Sequence, residues 1–172
     1  RIRVLQAIYA WQQTPERNLA KAEKEFLKCL QEVQELYIFL FLYMVELRDY
    51  AANFIEESKS KRLPTQEDLN PNTKFIDNLF INGLKDDTPL LSLAGVYKLS
   101  YAEEEEMVKK IFFNLKETQE YQVYMASEDQ GFESDKRFVS KIFGKFLVEE
   151  EHFQHLLEEK NIHWDDDLPF IS

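Results

Sequence analysis

Cysteine is nearly absent from this 172-residue chain. Cys29 stands alone, which excludes an intramolecular disulfide and points to a reducing, cytoplasmic setting. Its place in the amphipathic stretch AEKEFLKCLQEV reads as a small buried side chain. A catalytic thiol is the lesser reading, because no histidine lies near it in sequence to activate it. Glycine (4) and proline (5) are equally scarce, and no segment alternates apolar and polar residues with period two. Together these absences exclude a turn-rich β architecture and predict an all-α helical bundle. Long apolar runs are missing too. The longest, LYIFLFLYMV (36–45), has ten residues against the roughly 18 needed to span a bilayer, so it predicts a central helix buried on all sides. No signal peptide, glycine-rich phosphate loop, serine elbow or zinc-type Cys/His cluster is present. No enzyme activity, cofactor or membrane partner is expected.

What the chain does have is acid. The net charge is -11, unevenly spread: residues 1–62 hold ten Lys or Arg against nine Asp or Glu, and residues 63–172 hold eleven against twenty-three. Such a surface repels phosphate, so any nucleic acid should meet the first part of the chain. The runs EEEE (103–106), EEE (149–151) and DDD (165–167) read as solvated helix surfaces and N-termini, where carboxylates favour the helix dipole. The opening RIRVLQAIYAWQQ is the exception, with two arginines and no acid.

Along the chain, Val4, Leu5, Ile8 and Trp11 recur at helical spacing and predict an amphipathic helix over 2–13. Thr14 or Asn18 can cap the next helix. A stripe of Ala22, Phe26, Cys29, Leu30 and Val33 leads into one long helix over 32–60 with Leu36, Phe39, Leu40, Tyr43, Leu47, Tyr50 and Phe54 inward. SKSKRLPTQEDLNPNT (58–73) is a connector with a Thr65-x-x-Asp68 capping-box spacing. Beyond it, Asn72 or Thr73 should cap a helix over 74–84, and 85–100 should be a turn with one short helix. Further helices are expected over 101–118, 118–126, 134–148 and 149–160, with Ser134 as an N-cap after the break at Gly131. Trp164 and the three Asp after it resemble the staple and cap of a helix that barely begins, so the chain reads as an N-terminal portion of a longer product. These features divide it into 1–57, an inserted region over 58–133, and a helical pair with a helix start over 134–172, packed as one body.

Two constellations bear on chemistry. Glu149, His152 and His155 share i,i+3 spacing, but a carboxylate-bridged metal bundle needs two Glu-x-x-His helices and this chain has one. The preferred reading is a solvated face beside Phe146, Phe153, Leu156 and Leu157, with no metal site. In the opening stretch, Arg1 suits backbone phosphate, and Tyr9 or Trp11 suits stacking on an unpaired base. The competing reading makes Tyr9 and Trp11 core or hinge residues and the arginines surface charge.

QAIYAWQQ (6–13), followed some twenty residues later by ELYIFLFLYMVELRDYAANFIEE (35–57), resembles the N-terminal helices of the bacterial NusB (N-utilisation substance protein B) family. That family's first helix runs from an Arg-rich entry into a Gln-Ala-Leu-Tyr-x-Trp-Gln pattern. The resemblance covers about residues 1–57. It implies all-helical bundles, with an insertion or repeated unit at 58–133, and a cytoplasmic role in transcription antitermination and termination. The implied partners are single-stranded boxA-like RNA, the small-subunit ribosomal protein NusE (S10) and the antitermination complex of RNA polymerase. On the family pattern Arg1 ends the Arg-rich entry, and Gln6 and Tyr9 fall near the RNA face. Arg3 is added from its charge alone. The alternative is an acidic all-helical adaptor that docks a basic protein without touching RNA.

Overall fold

Asn18 sets the frame of the molecule: its side chain accepts from the Lys21 backbone N–H at 3.1 Å and caps a helix that then runs unbroken for 41 residues. In the computed structural model, which describes residues 2–15 and 18–161 together with Trp164 and Leu168, all regular structure is helical. The first helix, α1 (Ile2–Gln13), folds back against α2 (Leu19–Lys59). At 1.5 Å per residue α2 is about 60 Å long, twice the width of a small domain. No glycine or proline interrupts it.

The second half of α2 enters the core. Leu36, Phe39, Leu40, Tyr43, Met44 and Leu47 are buried, and Phe39 stacks on Tyr101 with centroids 4.4 Å apart. Tyr43 packs on Phe153 at 4.6 Å. Tyr50 and Phe54 are half-buried at the margin, and Tyr37 turns to solvent, so the expectation of a segment covered on all sides fails at Tyr37. Around this axis lie α3 (Gln66–Leu69), α4 (Leu79–Lys85), α5 (Thr88–Tyr97), α6 (Glu105–Glu117), α7 (Gln119–Ala126), α8 (Phe132–Lys141) and α9 (Glu151–Lys160). The main apolar core runs from Leu36 through Ile81, Ile111 and Ile142 to Leu168, and Leu90 and Ala94 of α5 form a smaller cluster with Ile38. No described helix is long and apolar enough to cross a membrane.

Local chemistry explains where the elements begin. The Thr65–Asp68 capping box forms as its spacing predicts, with Thr65 Oγ1 accepting from Asp68 N at 3.1 Å and Asp68 accepting from Thr65 N at 2.9 Å. The helix expected from residue 74 starts only at Leu79, and its cap is Asn78 rather than Asn72 or Thr73. Asn72 donates its amide to Met125 O and Thr73 donates to Asp77, so neither is placed to cap. Asn78 is fully buried, accepts from Ile81 N at 2.9 Å and donates to the Tyr124 hydroxyl. Ser134 is likewise displaced as a cap. α8 starts at Gly131, whose φ of 116° only glycine adopts readily. Asp135, in the first turn of α8, is drawn inward to accept from Leu79 N at 2.7 Å and from Tyr124 OH at 2.8 Å. The helix expected over 134–148 then widens into a π segment, Ile142–Leu147. The wider turn brings Ile142 and Leu147, five residues apart, to the same buried face.

Trp164 is buried against Phe39 and its indole N–H donates to Glu32 O at 3.2 Å, which fastens the far end of the chain to the middle of α2. The cap expected from the aspartates after it lies outside the described residues.

Candidate nucleic-acid interface

N-terminal to Leu36, no described residue is buried. α1 and the part of α2 before Glu32 and Gln34, which Trp164 and Tyr97 engage, therefore form a two-helix arm that leaves the body. Helical rotation of about 100° per residue assigns its faces. Arg3, Ala7 and Trp11 of α1, half-buried, meet Ala22, Phe26, Cys29 and Val33 of α2, also half-buried, so Cys29 lines the arm instead of the core. Small residues at 7, 10 and 22 let the helices approach. Leu30, expected in that stripe, is exposed.

One flank of the arm is polar. A groove of about 290 Å³ runs between the helices, lined by Arg3, Gln6, Trp11, Lys21 and Glu25 among others. The Arg3 guanidinium donates to the Gln6 side-chain oxygen at 3.3 Å. Tyr9, one turn on, is 65% exposed. The structure joins Arg3 to Gln6 at the groove, whereas Tyr9 does not line it and lies about 120° of helical rotation from Arg3. Arg1 lies outside the described residues. Trp11 behaves differently from Tyr9. Its indole N–H is buried without a hydrogen-bond partner among the described residues, so it packs within the hairpin and only Tyr9 is presented for stacking.

Sequence reasoning passed over Lys21 and Lys28 of α2. Lys21 sits 4.0 Å from Glu25 and Lys28 sits 3.4 Å from Glu32, both pairs one turn apart with the lysines well exposed. Such helix-surface pairs are worth only about 0.3–0.5 kcal/mol, so the ammonium groups exchange readily onto a phosphate. Their spacing of seven residues on one helix face was the available signal. In charge, residues 1–33 carry six Lys or Arg against four acids, a net of +2. Residues 34–172 carry fifteen against twenty-eight, a net of -13. The arm, unlike the body taken as a whole, does not repel a polyanion.

The histidine cluster comes apart in three dimensions. His152 Nδ1 lies 3.0 Å from Glu150 Oε1, while His155 Nε2 lies 3.3 Å from Glu159. Glu150 is held as the cap of α9, accepting from Phe153 N at 2.8 Å and from the Asn114 amide at 3.1 Å. Among the described residues no group of three or more His, Cys, Asp or Glu is arranged to hold a metal ion.

Comparison of the chain with protein-family models, with curated proteins and with solved structures finds no match in any of the three. The geometry itself defines an all-α protein with an acidic helical body and a projecting, near-neutral helical arm.

Proposed function

We propose that the chain binds single-stranded RNA through the polar flank of the arm, as a transcription antitermination factor of the NusB type. Arg3 and Lys21 meet the phosphate backbone, Gln6 reads a base edge and Tyr9 stacks on an unpaired base. The resemblance adds Arg1 as a further phosphate contact. The observation that supports this reading is the Arg3–Gln6 pair at the groove, with Tyr9 exposed on the same helix, on an arm whose net charge is positive while the body's is strongly negative. The RNA implied by the resemblance is boxA-like, and the setting is the cytoplasmic antitermination complex of RNA polymerase.

The acidic body favours a companion role for a basic protein. With a net of -13 over residues 34–172, it suits a partner such as ribosomal protein NusE, which would dock on the body while the arm holds RNA. If the arm does not bind RNA, this adaptor activity is the function that remains.

Photocrosslinking of a 4-thiouridine-labelled single-stranded RNA to the whole chain, with the sites mapped by mass spectrometry, tests the assignment. Crosslinks within residues 3–28 are expected. Crosslinks confined to residues beyond 34 would overturn it.

A further inference from the structure

The second flank of the arm is apolar. Val4, Leu5 and Ile8 of α1 and Leu19, Leu27 and Leu30 of α2 are 42–67% exposed. In an antiparallel pair, helical rotation brings both sets to one side, opposite the groove lined by Gln6, Lys21 and Glu25. α1 is therefore amphipathic, as its sequence predicts, yet only the Ala7–Trp11 edge of that stripe is used against α2. The rest stands in water.

We infer that this face is covered by the same face of a second copy, so that two arms pack as an antiparallel four-helix bundle. The six residues leave at most about 560 Å² exposed per copy, within the range for the largest patch on a monomer. Two copies covering them fully bury about 1,100 Å², just above the roughly 1,000 Å² that a specific interface should clear. Two hairpins meeting on apolar flanks is the ordinary geometry of such bundles. Charge sets the orientation, because two bodies at -13 repel each other far more than two arms at +2. Antiparallel arms place the bodies at opposite ends. The polar flanks with Arg3 and Gln6 then face outward.

Salt separates this contact from RNA binding. An apolar interface between like-charged bodies strengthens as salt screens the repulsion, whereas phosphate contacts weaken. Sedimentation velocity of the whole chain from 1 to 200 μM, at 50 and 500 mM NaCl, is the test. A reversible monomer–dimer equilibrium is expected, with the dimer fraction rising at the higher salt. The double variant Leu27→Glu/Leu30→Glu should stay monomeric across the range while circular dichroism shows unchanged helix. Val4→Glu/Ile8→Glu should do the same from the other helix, and Lys21→Gln should leave dimerisation intact. A wild-type monomer at 200 μM in both salts would overturn the inference and leave the face to a different protein or another segment of the same chain. So would a dimer that neither double variant weakens, or one that dissociates with added salt.

Discussion

The Arg3 guanidinium and the Gln6 side-chain oxygen are joined at 3.3 Å across one turn of α1. The bond holds the guanidinium on the polar flank, where a fixed fork of N–H donors is worth more to a phosphate than a freely rotating one. Two residues that act as a unit should not contribute independently. Arg3→Ala and Gln6→Ala are expected to weaken RNA binding, and the double variant should lose less than the two separate losses combined, with a coupling of at least about 0.5 kcal/mol. A double-mutant cycle on the dissociation constants checks this, and strict additivity would show that the pair has no shared role.

Phe39 is the centre of the body, fully buried between Tyr101 and Trp164. Phe39→Ala should cost about 3–5 kcal/mol in urea unfolding, through lost transfer energy and the cavity left behind. A loss under about 1 kcal/mol would show that α2 is not the axis of the core.

Two buried tyrosines should respond oppositely to loss of their hydroxyls. Tyr101 OH donates to Phe39 O at 2.8 Å, so Tyr101→Phe should cost about 0.5–1.5 kcal/mol. The Tyr43 hydroxyl is buried with no hydrogen-bond partner among the described residues, so Tyr43→Phe should be neutral or stabilising. Burial raises the pKa of both, with the Glu150 charge adding to Tyr43 and the neighbouring Tyr43, Glu46 and Glu104 adding to Tyr101. A raised folded pKa means stability that is full below the ordinary tyrosine value near 10 and lost as pH rises above it. Between pH 7 and pH 10.5 the unfolding midpoint should therefore fall for wild type, and fall less for Tyr43→Phe.

Much of this architecture is legible in residue order, and the failures share a cause. The bounds of α1, the Asn18 cap and the Thr65–Asp68 box depend on neighbours within four residues, and all three form as their spacing predicts. Asn72 gives its amide to Met125 O, 53 residues away, and α8 starts at Gly131 ahead of Ser134, with Asp135 drawn to Leu79 N and Tyr124 OH across the fold. Periodicity identifies the apolar stripe of α1 but not what covers it, and Val4, Leu5 and Ile8 stand exposed. The Glu149–His152–His155 spacing is real along the helix. Its imidazoles are claimed by Glu150 and Glu159, which no spacing rule weighs.

Asp49 links α2 to α4. Its carboxylate accepts from Lys85 Nζ at 2.7 Å through both oxygens and from Arg48 at 2.7 Å. Partial burial pushes its pKa up, but the bonds to Lys85 and Arg48 outweigh that and leave it lowered. A lowered folded pKa gives stability that is present above the ordinary aspartate value near 3.9 and lost as pH falls through the folded one. Asp49→Asn should therefore destabilise at pH 7, by no more than about 1 kcal/mol at this half-exposed site, and the gap to wild type should narrow at pH 2.5. Chemical denaturation at the two pH values gives the comparison, and a gap that widens on acidification would contradict the assignment.

The most direct test of the arm as an RNA-binding element is fluorescence anisotropy with a boxA-like single-stranded RNA at several salt concentrations. Two phosphate contacts predict a log–log slope of affinity against salt of about -1.4 for a single strand, falling to about -0.7 in Arg3→Glu together with weaker binding. Tyr9→Ala should weaken binding by about 1–3 kcal/mol while leaving the slope unchanged, because stacking releases no counterions. Equal affinity and equal slope for wild type, Arg3→Glu and Tyr9→Ala, with circular dichroism showing all three folded, would contradict RNA recognition by α1.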